Sequence, residues 1–124
     1  MKKEYRINEN ELLNEKDFAV KALFDMISDY RFKAVIEGLS LNHGFGENYG
    51  ACVFWDDLDD FDKENTEYYE GAEFGLYDGT EVVIGYRELL YYINMACQKY
   101  CVDYPEDKEV IDLYIQNYKK INNL

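Results

Sequence analysis

"GAEFGLYDGTEVVIGY", residues 71–86, is the stretch on which the fold turns. Ala72, Phe74 and Leu76 alternate with Glu73, Gly75 and Tyr77, the period-two pattern of a strand with one buried face. Asp78-Gly79 follows, the pair favoured where a two-residue hairpin loop needs positive φ, and "TEVVIGY" returns as a second strand. Just upstream, "ACVFW" (51–55) is a short apolar run with no polar face, which places it centrally in the same sheet.

Outward from this hairpin the period changes to that of helices. On the C-terminal side Leu89, Leu90, Ile93, Ala96, Cys97, Tyr100 and Cys101 recur at helical spacing between Arg87 and Tyr104. Pro105 suits the first position of a last helix, with Glu106, Asp107 and Glu109 complementing its N-terminal dipole. Val110, Ile111, Tyr114, Ile115, Tyr118 and Ile121 form its apolar face, and Lys119 and Lys120 suit its C-terminal end. On the N-terminal side Asn14, three residues before Asp17, signals a helix start. Val20, Leu23, Phe24, Ile27 and Tyr30 then share one helical face. The pattern runs on through "FKAVIEGL" as a second short helix ending at Gly38. "NHGFGENYG", with three glycines in nine residues, reads as a loop. The expected architecture is a single α+β domain over residues 1–124. It has an N-terminal helix or helices, a short antiparallel sheet with its hairpin at 72–86, and two C-terminal helices.

A chain of 124 residues buries enough surface for one core without staples. Thirteen Tyr, seven Phe and one Trp argue for a folded protein, since disordered acidic chains are poor in aromatics. The formal net charge of −13 disfavours direct binding of nucleic acid and of anionic membrane surfaces, because both would be repelled. It favours a basic protein as partner. Three cysteines, Cys52, Cys97 and Cys101, are an odd number without framework spacing, and the opening "MKKEYRINENELLNEK" lacks an apolar core. Both point to free thiols in a reducing cytoplasm and to no signal peptide.

The negative charge concentrates in "WDDLDDFDKENTEYYE", residues 55–70, where eight acids accompany one lysine. A calcium loop fails in both registers. Counting from Asp57 puts Phe61 at the fifth position, Asp62 in place of the glycine and Tyr68 in place of the closing carboxylate. Counting from Asp60 puts Asn65 and Gly71 at those last two places. Asp57-Leu58-Asp59 matches a metal-binding triplet of some glycosyltransferases, but the chain leaves little room for their nucleotide-binding domain. Cys97 and Cys101 continue an apolar helical stripe rather than a zinc spacing. His43, the only histidine, has no nucleophile at a recognisable spacing, and the loop glycines lack the phosphate-loop lysine. Neither a catalytic group nor a cofactor is indicated.

The same stretch suits a docking surface. Asp56, Asp57, Asp59, Asp60, Asp62, Glu64, Glu67 and Glu70 would meet lysines and arginines arranged for phosphates, as in a nuclease cleft. Trp55, Tyr68 and Tyr69 would supply aromatic anchors. The competing reading is a solvated loop.

The runs "HGFGENYGACVFWDD" and "EYYEGAEFGLYDGTEVVIGYRELLYYINMACQKYCVDYPEDKE" resemble the immunity proteins of bacterial contact-dependent growth inhibition systems, and more narrowly the ribonuclease-toxin immunity group. The resemblance spans about residues 15 to 115. It implies a cytoplasmic, non-catalytic protein without a cofactor that binds the C-terminal toxin domain delivered by a neighbouring cell and blocks its nuclease activity. The toxin so implied has an EndoU-like or an RNase A-like fold. An acidic adaptor or nucleic-acid mimic for another basic partner is the alternative, followed by a small metal-dependent enzyme using the carboxylates of residues 56–70.

Overall fold

A computed structural model describes residues 5–124. The N-terminal helical pattern forms two helices, α1 (Phe18–Met26) and α2 (Asp29–Leu39). Asn14 acts as a cap, but of a 3-10 turn, Glu15–Asp17, whose Lys16 N–H donates to its side chain at 2.9 Å. The helices part at Ile27 and Ser28, both in extended conformation. Arg6 secures the break by donating to the Ile27 carbonyl at 2.9 Å and to Asp29 at 2.8 Å, with its guanidinium 4.3 Å above the Phe32 ring. A carbonyl left over at a helix end thereby finds a charged donor. The change of direction separates Tyr30 from the face it was expected to share. Val20, Leu23, Phe24 and Ile27 are buried, whereas Tyr30 is 88% exposed.

Among the described residues the sheet has four strands, one more than the sequence pattern indicated. They are β1 (Phe45–Glu47), β2 (Gly50–Phe54), β3 (Ala72–Leu76) and β4 (Glu81–Ile84), antiparallel in the order 1-2-3-4. β1 lies inside the glycine-rich segment read as a loop. Three residues are too few to show a period, and the strand exists because Phe45 pairs opposite Cys52 and Gly46 opposite Ala51. β2 is internal, as its apolar composition required. The hairpin between β3 and β4 closes through three residues, Tyr77 to Gly79, rather than two. The Leu76 N–H donates to the Thr80 carbonyl at 2.7 Å, and the Gly79 N–H to the Leu76 carbonyl at 3.0 Å. Of the pair Asp78-Gly79 only the glycine takes positive φ, +96°, while the Asp78 carboxylate accepts the Thr80 N–H at 2.9 Å. This is the three-residue loop in which one left-handed residue matches the sheet twist.

Cys52, Phe54, Ala72, Phe74 and Ile84 point to one side of the sheet and are buried there. α1 packs on that side across β2, β3 and β4. The Phe24 ring stacks on Phe74 at 6.1 Å and meets Phe45 edge-on at 6.1 Å. Each such aromatic contributes roughly 1.5–3 kcal/mol by burial. Behind them lie α4 (Tyr86–Asp103) and α5 (Lys108–Ile121), the latter packed on both α2 and α4. Pro105 opens a 3-10 turn, Pro105–Asp107, ahead of α5 rather than α5 itself. Tyr118 is buried and its hydroxyl donates to the Tyr86 carbonyl at 2.8 Å, tying the end of the chain to the start of α4. All three thiols are free; Cys52 and Cys97 are buried in the core and Cys101 is half-buried.

Candidate functional site

Residues 55–70 leave β2 as a 3-10 turn, Trp55–Asp57, continue into α3 (Asp60–Glu64) and return to β3. The stretch is polar and aperiodic, and two of its own carboxylates organise it. Asp57 accepts the backbone N–H of Phe54 at 2.8 Å and that of Gly44 at 2.9 Å, and lies 3.3 Å from His43 Nδ1. Gly44 is required at this junction, since a Cβ there would stand 1.8 Å from the Cys52 carbonyl oxygen. Asp59 caps α3 by accepting the Asp62 N–H at 2.8 Å. Asp57 and Asp59 are therefore engaged with backbone donors of their own chain.

The other six candidate carboxylates have a different setting. Asp56, Asp60, Asp62, Glu64, Glu67 and Glu70 are exposed, and none joins an ion pair among the described residues. Beside them the three candidate aromatics meet. Trp55 packs edge-on against Tyr68 with ring centres 5.1 Å apart, and against Tyr69 at 5.6 Å. The Tyr69 hydroxyl donates to the Val53 carbonyl at 3.0 Å. Burial, then Glu73 and Asp57, push that hydroxyl up to about 12, so it remains a neutral donor at physiological pH. Tyr69 thus buttresses the cluster against β2, Trp55 is half-buried between its neighbours, and Tyr68 is 67% exposed.

His43 and Gly44 were read from sequence as ordinary loop residues, yet they meet the turn after β2 through Asp57. Glu73 lies next to the stretch but outside it. Its carboxyl is pushed above the ordinary range by burial and by Glu81. The signal for both glutamates was present in the hairpin, where they occupy positions alternating with the buried ones. Asp107 belongs elsewhere: it accepts from the Tyr100 hydroxyl at 2.7 Å and from Lys33 at 3.2 Å. That places it beyond the opposite end of α4 from Tyr86, whose ring stacks on Phe54. Among the described residues, no three His, Cys, Asp or Glu side chains converge to hold a metal ion.

Comparison with family models finds that residues 16–115 match the CDI immunity protein family. The chain belongs to that family. A comparison with curated proteins gives no match. The matched region of the immunity protein takes in the whole sheet, α1 to α4, part of α5 and all of residues 55–70. Membership carries an immunity function against a toxin of contact-dependent growth inhibition. No helix among the described residues is long and apolar enough to cross a membrane.

Proposed function

We propose that this immunity protein binds and neutralises a nuclease toxin domain, a ribonuclease in the first instance, in the cytoplasm of the cell that makes it. It acts without catalysis or cofactor, as a stoichiometric inhibitor. The acidic, aromatic surface of residues 55–70 covers the toxin's basic active-site cleft and keeps RNA out. The observation that carries this reading is the convergence of Trp55, Tyr68 and Tyr69 beside exposed carboxylates that join no ion pair among the described residues. Aromatic anchors supply affinity at an interface centre, and surrounding charge of one sign steers an oppositely charged partner into place. Asp57 and Asp59 serve this surface by holding its backbone, while Asp56, Asp60, Asp62, Glu64, Glu67 and Glu70 present the charge.

The test is to identify the gene beside this chain's own and, where it encodes a large exoprotein, to co-express that protein's C-terminal domain with this chain, together with sizing of the mixture and an RNA-cleavage assay. Rescued growth, a one-to-one complex and suppressed cleavage are expected. A complex that leaves cleavage intact would remove the occlusion mechanism, and the absence of any complex would remove the reading as a whole.

A further inference from the structure

The negative charge of this chain is divided unequally between its two layers. Residues 40–85, which contain every strand and the connections between them, hold twelve acids and one base, Lys63, a net of −11. The rest of the chain holds fourteen acids and twelve bases, close to neutral. One side of the sheet is covered by helices. On the other, Gly46, Glu81 and Val83 are exposed and Ala51, Val53, Glu73 and Gly75 are half-exposed. Gly46, Ala51 and Gly75 stand directly opposite one another on successive strands. A strip across this face therefore carries almost no side chain, and a partner can approach the backbone closely. At one end of the face rise Trp55, Tyr68 and Tyr69. At the other end Tyr49 and Tyr77 are 66% and 78% exposed, joined through a 2.8 Å hydrogen bond from the Tyr77 N–H to the Tyr49 carbonyl.

We propose that this open sheet face, from the Trp55 cluster to Tyr49 and Tyr77, is the floor of the docking surface for the basic toxin domain, with residues 55–70 as one wall. The inference rests on the functional reading above and extends it to residues outside the acidic stretch. Size supports the extension. Strands of three, five, five and four residues, rising about 3.4 Å per residue and lying about 4.8 Å apart, present an area on the order of 300 Å². A stable interface takes about 800 Å² from each partner, more than the face supplies alone, so the face and the acidic wall together make the larger surface.

Charge selects the occupant. A second copy of the chain would oppose one layer of net −11 to another, and nucleic acid or an anionic membrane would be repelled likewise. A lysine- and arginine-rich protein surface is complementary. Glu73 and Glu81, diagonal neighbours across β3 and β4, repel one another, and a cation seated between them relieves that repulsion. Strand addition is not the docking mode, because the edges are occupied. Arg31 of α2 pairs with Glu47 and donates to the Gly46 carbonyl at 3.4 Å along β1, and β4 packs against the Glu15–Asp17 turn.

The experiment measures binding of the same toxin domain to full-length variants by surface plasmon resonance, with Tm recorded for each. Gly75→Lys places a long cation on the floor. A Cβ there meets nothing nearer than 3.9 Å, and one at Gly46 meets nothing within 4 Å, so Gly46→Lys serves as a second, independent variant. Tyr77→Ala removes an exposed ring. Each is expected to weaken binding at least tenfold with Tm preserved, while Val102→Lys on the exposed side of α4 binds as wild type. Wild-type affinity in Gly46→Lys and Tyr77→Ala, with binding still lost in Tyr68→Ala, overturns the sheet-face floor and leaves the functional reading intact. Failure of the wild-type chain to bind removes that reading, and this inference with it. A chain that dimerises alone, and loses the dimer in Gly46→Lys, assigns the face to a second copy and overturns the proposal.

Discussion

The carboxylate of Asp57 accepts the backbone N–H of Gly44 at 2.9 Å across thirteen residues of sequence, and the N–H of Phe54 at 2.8 Å. One side chain thus joins the segment entering β1 to the turn leaving β2, at the point where the acidic stretch departs from the sheet. Two backbone donors lose their partner if it is removed. Asp57→Ala is expected to cost about 1–3 kcal/mol, read as a fall in Tm of several degrees. Asp56→Ala, beside it and exposed, should leave Tm within a degree or so. Equal Tm values for the two variants would show that the carboxylate supports nothing.

A buried carboxylate makes a separate prediction. Asp17 is 5% exposed and accepts from the Tyr92 hydroxyl at 2.6 Å, while that hydroxyl accepts the Leu13 N–H at 2.9 Å. Tyr92→Phe keeps the ring and strands both partners. We expect a loss of about 2–3 kcal/mol in urea unfolding with an unchanged m value. A loss under 0.5 kcal/mol would mean that water replaces the hydroxyl.

Glu73 predicts a pH dependence. Burial and the neighbouring Glu81 raise its carboxyl above the ordinary value of about 4.3, so the folded state holds the proton more tightly than the unfolded one. Its contribution to stability is greatest below the ordinary value and declines as pH rises through the raised one. At pH 7 the charge is therefore unfavourable to folding. Glu73→Gln should melt above wild type at pH 7, with the gap narrowing as pH falls toward 4. A gap independent of pH would refer the effect to packing alone.

Steering is tested by charge. Replacing Asp56, Asp60, Asp62 and Glu67 by the corresponding amides removes four exposed charges and spares Asp57 and Asp59, which hold the backbone. The association rate with the toxin domain at low salt should drop tenfold or more, and its dependence on ionic strength should flatten. Rates and salt slopes equal to wild type would return the stretch to a solvated loop.

Several elements were legible because their pattern is local. The alternation from Ala72 to Leu76, the helical stripe from Leu89 to Cys101 and the apolar run in β2 each declare a buried face within a few residues. The concentration of acids and aromatics in residues 55–70 was equally plain. β1 was not, because a three-residue strand is defined by its partner, and Gly46 earns its place only opposite Ala51. Tyr30 was misplaced because the break at Ile27 depends on Arg6, twenty-one residues earlier.

Within the acidic stretch, sequence by itself determined how much charge and how many aromatic rings were present, together with the overall negative field that follows from composition. Tertiary structure decided which of them are available. It folded Asp57 back to Gly44 and Asp59 onto the start of α3, left six carboxylates facing outward, and pressed Tyr69 to Val53 while leaving Tyr68 presented. The physical reason is that a side chain's charge belongs to the residue, whereas its hydrogen-bond partner and its exposure depend on segments that meet only when the chain folds.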